Sequence, residues 1–172
     1  KGTINPSGRL SDTFMYDLNS APATENDGSY KYSGSTSGLA ATTNRYTAYM
    51  VYQEGIYIGY RYYETRYQNI LNKNGKTAAD SWYNGEEGVV FPFGYGLSYT
   101  SFTQEIVQVN PKKKSELDST TDMIEVSIKV TNTGKVAGKD AVQLYWKAPY
   151  YDGQIEKADH VLCAFDKTKL LE

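Results

Sequence analysis

Between residues 124 and 131 apolar and polar side chains alternate without a break. Ile124, Val126, Ile128 and Val130 stand against Glu125, Ser127, Lys129 and Thr131. Successive side chains of a strand point to opposite faces, so this run predicts a strand with one buried face and one wet face. The turn sequence TNTGK follows, with Gly134 as the residue free to take a positive φ. KDAVQLYWK then sets Val142, Leu144 and Trp146 against Ala141, Gln143 and Tyr145, and Trp146 reads as core. With FTQEIVQVN at 102–110, these strands joined by turns predict an antiparallel β-sandwich. Roughly three or four strands fit between Phe102 and Glu172, against about seven in an immunoglobulin-like domain. A half sandwich leaves a core face open and an edge unpaired, so the count predicts a piece of something larger.

The first hundred residues lack that regularity. NPSG at 5–8 is turn chemistry and places the start of a strand near Arg9. Residues 17–45 are crowded with Ser, Thr, Asn, Gly and Ala and read as a long surface loop. In the tyrosine-rich stretch that follows, Ile56, Ile58 and Tyr60 alternate with Tyr57, Gly59 and Arg61, predicting a strand near 55–61. Residues 62–71 fit a short helix or an extended turn, and 72–88, NKNGKTAADSWYNGEEG, has turn composition. FPFGYGLSYTSF at 91–102 packs five aromatic residues around two glycines and a proline, too broken for a helix and too aromatic for an ordinary loop.

Charge narrows the function classes. Eighteen Lys and Arg against 20 Asp and Glu give a formal charge of −2, which favours neither nucleic acid nor an anionic membrane as partner. The basic run Lys112–Lys114 reads as a solvated turn. No apolar run approaches the ~18 residues that span a bilayer, and KGTINPSGRL has no signal-peptide pattern. A single cysteine, Cys163, excludes an intrachain disulfide and a thiolate metal cluster, and reads as a small buried hydrophobe. The lone His160 excludes a multi-histidine metal site and reads as structural; no metal or cofactor is expected. The excess is in tyrosine, 17 residues, which suits strand packing and sugar stacking alike.

Five motifs in order carry a resemblance: NPSGRL (5–10), EGIYIGYRYYE (54–64), FPFGYGLSYTSF (91–102), VTNTGKVAGKDAVQLY (130–145) and the later IEKADHVLCAFDKTKLL. Together they resemble the C-terminal part of glycoside hydrolase family 3, the β-glucosidase family, over nearly the whole chain. The resemblance implies a mainly β chain: an incomplete fibronectin type III-like sandwich at 101–172, the tail of an α/β sandwich domain at 1–66, and an aromatic-rich connection at 67–100. It implies a retaining glycoside hydrolase as parent, acting on β-linked glucosides or short oligosaccharides, with xylosidase or arabinosidase activity as the alternative within the family. A stand-alone sugar-binding or structural β-module is the rival from another class. The family's nucleophile lies in a barrel and its acid/base segment upstream of NPSGRL, so the chain is expected to hold no catalytic residue and to be inactive alone. Its expected partners are the remaining domains of the same enzyme and a carbohydrate. A cytoplasmic and a secreted bacterial enzyme fit equally.

Three residues are candidates for substrate contact. Trp82 and Tyr83 sit in a glycine- and asparagine-rich insert where a large aromatic has little packing reason to be. Glu54 precedes a glycine among tyrosines; its competing reading is an ion pair with Arg61. Asp12 and Asp17 read as turn or cap carboxylates, Glu86 and Glu87 as a loop tip. Tyr52, Tyr57, Tyr60, Tyr62 and Tyr63 suit either a domain seam or a sugar platform.

Overall fold

The structure, a computed structural model, describes residues 2–26, 28–32, 48–86, 88–110 and 124–172. Residues 33–45 of the predicted loop, the run Lys112–Lys114, and Glu87 lie outside the described residues. In chain order the regular elements are β1 (Phe14–Met15), α1 (Pro22–Glu25), β2 (Tyr30–Lys31), β3 (Ala48–Tyr49), α2 (Tyr60–Asn74), α3 (Lys76–Tyr83), β4 (Val89–Phe91), β5 (Phe102–Val109), β6 (Val126–Asn132), β7 (Ala141–Trp146) and β8 (Val161–Lys167). The strands form small two-stranded sheets, β1 with β4, β2 with β3, β5 with β6 and β7 with β8. None of the described helices is long and apolar enough to cross a membrane.

The chain divides into two compact units, one of Lys1–Arg9, Gly96–Leu144 and Ala164–Glu172, the other of Leu10–Tyr95 and Tyr145–Cys163. In the first, β5 and β6 run antiparallel, with Gln104 opposite Val130 and Ile106 opposite Ile128; the register shifts between Ile106 and Gln108. The alternation in β6 is realised: Val126, Ile128, Val130 and Asn132 are half-buried and the residues between them exposed. An ion pair between the partly exposed Arg9 side chain and the buried Asp140 anchors this unit. Arg9 Nη2 donates to Asp140 Oδ1 at 2.6 Å, Ala141 N–H donates to the same oxygen, and Gln104 donates to Oδ2 at 2.7 Å. Asp140 is 3% exposed, so each of these donors replaces a water it has lost.

Four expectations fail here, for local reasons. No strand starts near Arg9; its backbone is irregular and its side chain is committed to Asp140. Gly134 does not take a positive φ. It is required instead by space, because a Cβ there would lie 2.1 Å from Thr100 Oγ1. Trp146 is 58% exposed rather than core, and Cys163 is exposed rather than a buried hydrophobe. Strand periodicity assigns a face, but whether the face is buried depends on what covers it.

In the second unit the predicted strand at 55–61 is absent. Gly55 (φ +58°) and Gly59 (φ +66°) both adopt left-handed backbone, which ends any extended run on either side of a single helical turn at Gly55–Tyr57. Beyond Gly59 the chain enters α2, a full 15-residue helix, and after Gly75 (φ +81°) it enters α3, where composition suggested turns. Tyr60, Tyr63, Tyr67 and Ile70 recur every three to four residues, and Tyr63 on that face is 1% exposed. Beside it the core is small: Ala23, Ala79, Val89 and Ala158.

Candidate functional site

The face of α2 opposite its tyrosines is polar. Thr65, Gln68, Asn69 and Asn72, at i, i+3, i+4 and i+7, point the same way and line one wall of a cleft of about 510 Å³. The connection from β7 to β8 forms the other wall, with Lys147, Tyr150, Glu156 and Asp159 among its residues. Two contacts pin this connection to the helix: Asp159 N–H donates to Thr65 Oγ1 at 3.0 Å, and Leu162 N–H donates to the Tyr60 hydroxyl at 2.7 Å. Tyr60 is itself held by a ring cluster, stacked on Phe93 at 4.4 Å and tilted against His160 at 6.1 Å; the Tyr145 ring meets His160 edge-on at 5.1 Å.

The charges in the cleft are internally matched. Lys147 reaches Asp159 Oδ1 at 2.6 Å and His160 Nδ1 lies 2.8 Å from Oδ2. Burial alone would push the Asp159 carboxyl up, but the His160 and Lys147 hydrogen bonds and charges together hold it below the usual carboxylate range. Lys157 donates to the Pro149 carbonyl at 2.8 Å. The Tyr57 hydroxyl donates to Glu156, and desolvation with that carboxylate's hydrogen bond and charge pushes the phenol up to about 12. A carboxyl acting as general acid needs a raised pKa, so Asp159 is tuned the wrong way for that task.

Of the residues expected at a substrate, Trp82 and Tyr83 come together on α3, with ring centroids 6.2 Å apart and edge-on. Neither is a loop aromatic in solvent. Both are half-buried; the Arg66 guanidinium lies 4.9 Å over the Trp82 ring, and the Tyr83 hydroxyl donates to Glu64. Burial and the Glu64 carboxylate raise the Tyr83 phenol. Glu54 serves a different element. Its Oε1 accepts the Ala23 N–H at 3.0 Å at the start of α1, where an acceptor satisfies an otherwise orphaned donor. The ion pair with Arg61 is not formed; the Arg61 guanidinium lies 5.9 Å over the Tyr60 ring instead. Asp12 and Asp17 act as expected, accepting the N–H groups of Thr13 and Asn19. His160 takes a structural place, in the ring cluster and against Asp159.

The amide-bearing face of α2 was missed by sequence reasoning. The signal existed in the spacing of Thr65, Gln68, Asn69 and Asn72, but the surrounding tyrosines left 62–71 open between a short helix and an extended turn.

No family model matches the chain. Beta-glucosidase A of Butyrivibrio fibrisolvens is 37% identical over 178 residues, a match that takes in 99% of this chain and 17% of that protein. Among solved structures, a beta-glucosidase from Paenibacillus barengoltzii superposes with a TM-score of 0.65 at 34% identity, over 99% of this chain and 14% of its own. A GH3 beta-glucosidase from Bifidobacterium adolescentis gives a TM-score of 0.63 at 26% identity, over 99% and 19%. The chain thus spans about a sixth of the length of the curated relative it matches.

Proposed function

The chain belongs to glycoside hydrolase family 3, and from that premise we propose that it is a non-catalytic part of a retaining β-glucosidase. In this reading β5 to β8 contribute to a fibronectin type III-like sandwich, and the residues before them end an α/β sandwich domain. The rest of the enzyme, in further domains, supplies the chemistry. Its substrates are β-linked glucosides or short oligosaccharides.

One observation carries the proposal: a match over 99% of this chain that occupies only 17% of its relative. The site agrees with it. Retaining hydrolysis needs two carboxyl groups about 5 to 5.5 Å apart, one free to attack and one poised to donate a proton. Asp159 is ion-paired with Lys147 and hydrogen-bonded to His160, Glu156 accepts from Tyr57, and Glu54 is buried against the start of α1. Each carboxylate is committed to holding structure. Trp82, half-buried beneath Arg66, and Tyr83 beside it are the proposed points at which this chain would touch a sugar, while Glu54 is held at the start of α1.

The test is turnover by the full-length protein that carries this chain, on nitrophenyl β-glucoside, β-xyloside and α-arabinofuranoside. The expected order has the glucoside fastest. A faster xyloside or arabinoside would overturn the glycone, and no turnover of any would overturn the reading.

A further inference from the structure

The α2 cleft has the chemistry of a binding site for a neutral, hydroxyl-rich molecule. Its volume, about 510 Å³, falls in the range of small-molecule sites. Its formal charges balance, Lys147 and Lys157 against Glu156 and Asp159, and each group has a partner: Lys147 with Asp159, Lys157 with the Pro149 carbonyl, and Glu156 with the Tyr57 hydroxyl. With two cationic and two anionic side chains among the lining residues, the wall favours neither an anion nor a cation. What remains to meet a ligand is a row of amides. Gln68 Nε2 donates to Asn72 Oδ1 at 2.9 Å, which leaves the Gln68 carbonyl and the Asn72 NH₂ available. The Asn69 amide has no hydrogen-bond partner among the described residues.

An amide offers a donor and an acceptor side by side, the complement of a sugar's vicinal hydroxyls, each of which both donates and accepts. Tyr150, half exposed at the opposite wall, adds a flat apolar face of the kind that covers a pyranose ring's C–H surface. The walls are fixed relative to each other by the Asp159 N–H to Thr65 bond and by Leu162 N–H on Tyr60, so a ligand would meet a preformed groove.

We infer that this cleft binds a neutral saccharide through the amides of Gln68, Asn69 and Asn72, with Tyr150 against the ring face. The choice of a β-glucoside as ligand rests on the family reading above.

The experiment is an amide-resolved NMR titration of the full chain with cellobiose, with inorganic phosphate as the competing ligand. The expected result is saturable shifts with cellobiose at residues 65–72 and 147–159, none with phosphate, and binding weakened about tenfold by N69A, the loss of one to two hydrogen bonds. N72A is the second variant and is expected to weaken binding similarly. Both lie on an exposed turn of α2, where alanine favours the helix, and an unchanged circular dichroism spectrum checks that it persists. No saturable shift, shifts centred elsewhere on the chain, wild-type affinity retained in both variants, or saturation by phosphate instead would each overturn the inference. Turnover by the full-length protein is read separately, so the cleft can fail while the family reading stands.

Discussion

At the scale of single residues, two carboxylates carry unusual weight. Asp140 accepts from Arg9, Gln104 and its neighbour's backbone while 3% exposed, so removing its charge strands a partly buried guanidinium. Arg9 keeps about a third of its side-chain surface in water, which softens the loss. D140N is expected to lower stability by about 2 kcal/mol, measured as a shift in urea midpoint at constant slope. Asp159 makes a pH prediction. Its folded pKa is depressed, by partners that outweigh burial, so its contribution is complete above the unfolded value of about 3.9 and is lost as pH falls through the lower folded value. In D159N the fall in stability between about pH 5 and pH 2 should flatten; a wild-type acid limb in that variant would contradict the assignment. Gly134 shows how a residue's purpose can be hidden. The sequence pattern suggests conformational freedom, while the structure uses the missing Cβ to admit Thr100, whose hydroxyl donates to Asn132 at 2.6 Å.

At the scale of elements, β5 and β6 were legible, α2 only as a shorter helix or a turn, and α3 not at all, and the difference is physical. In β6 every second side chain is apolar and aliphatic, so period two has one interpretation. In α2 the apolar face is made of tyrosines, whose strand propensity and polar tips blur the period of 3.6. The decisive feature is backbone conformation at Gly59, which no periodicity encodes. At φ +66° and ψ −138° it stands where only glycine is comfortable. A Cβ there would meet nothing closer than Asp12 Oδ1 at 4.0 Å, so G59A tests strain and not space. It should cost about 1–2 kcal/mol and lower the protection of the first turn of α2 in hydrogen exchange. A neutral substitution would mean that the entry to α2 does not depend on this glycine. Of the site, the tyrosines were noticed and the amides were not; Trp82 and Tyr83 were read as loop aromatics because α3 has no apolar stripe long enough to announce a helix.

At the scale of the molecule, the two units each bury little. The second has Tyr63 as its one large, nearly inaccessible side chain among the described residues. Large apolar residues remain in solvent on β5 and β8, with Ile106 at 60% and Phe165 at 77% exposure. Large apolar side chains this exposed on strands are candidates for contact with a partner. Together with a match that spans a sixth of its relative, this agrees with a chain that works as part of a larger enzyme. The most direct test of that account is the activity of the purified 172-residue chain itself on nitrophenyl β-glucoside. The account predicts release of nitrophenol no faster than in buffer, because it assigns the catalytic carboxyl pair to other domains of the enzyme. Turnover above background that survives repurification and is abolished by substituting a carboxylate of this chain would contradict it.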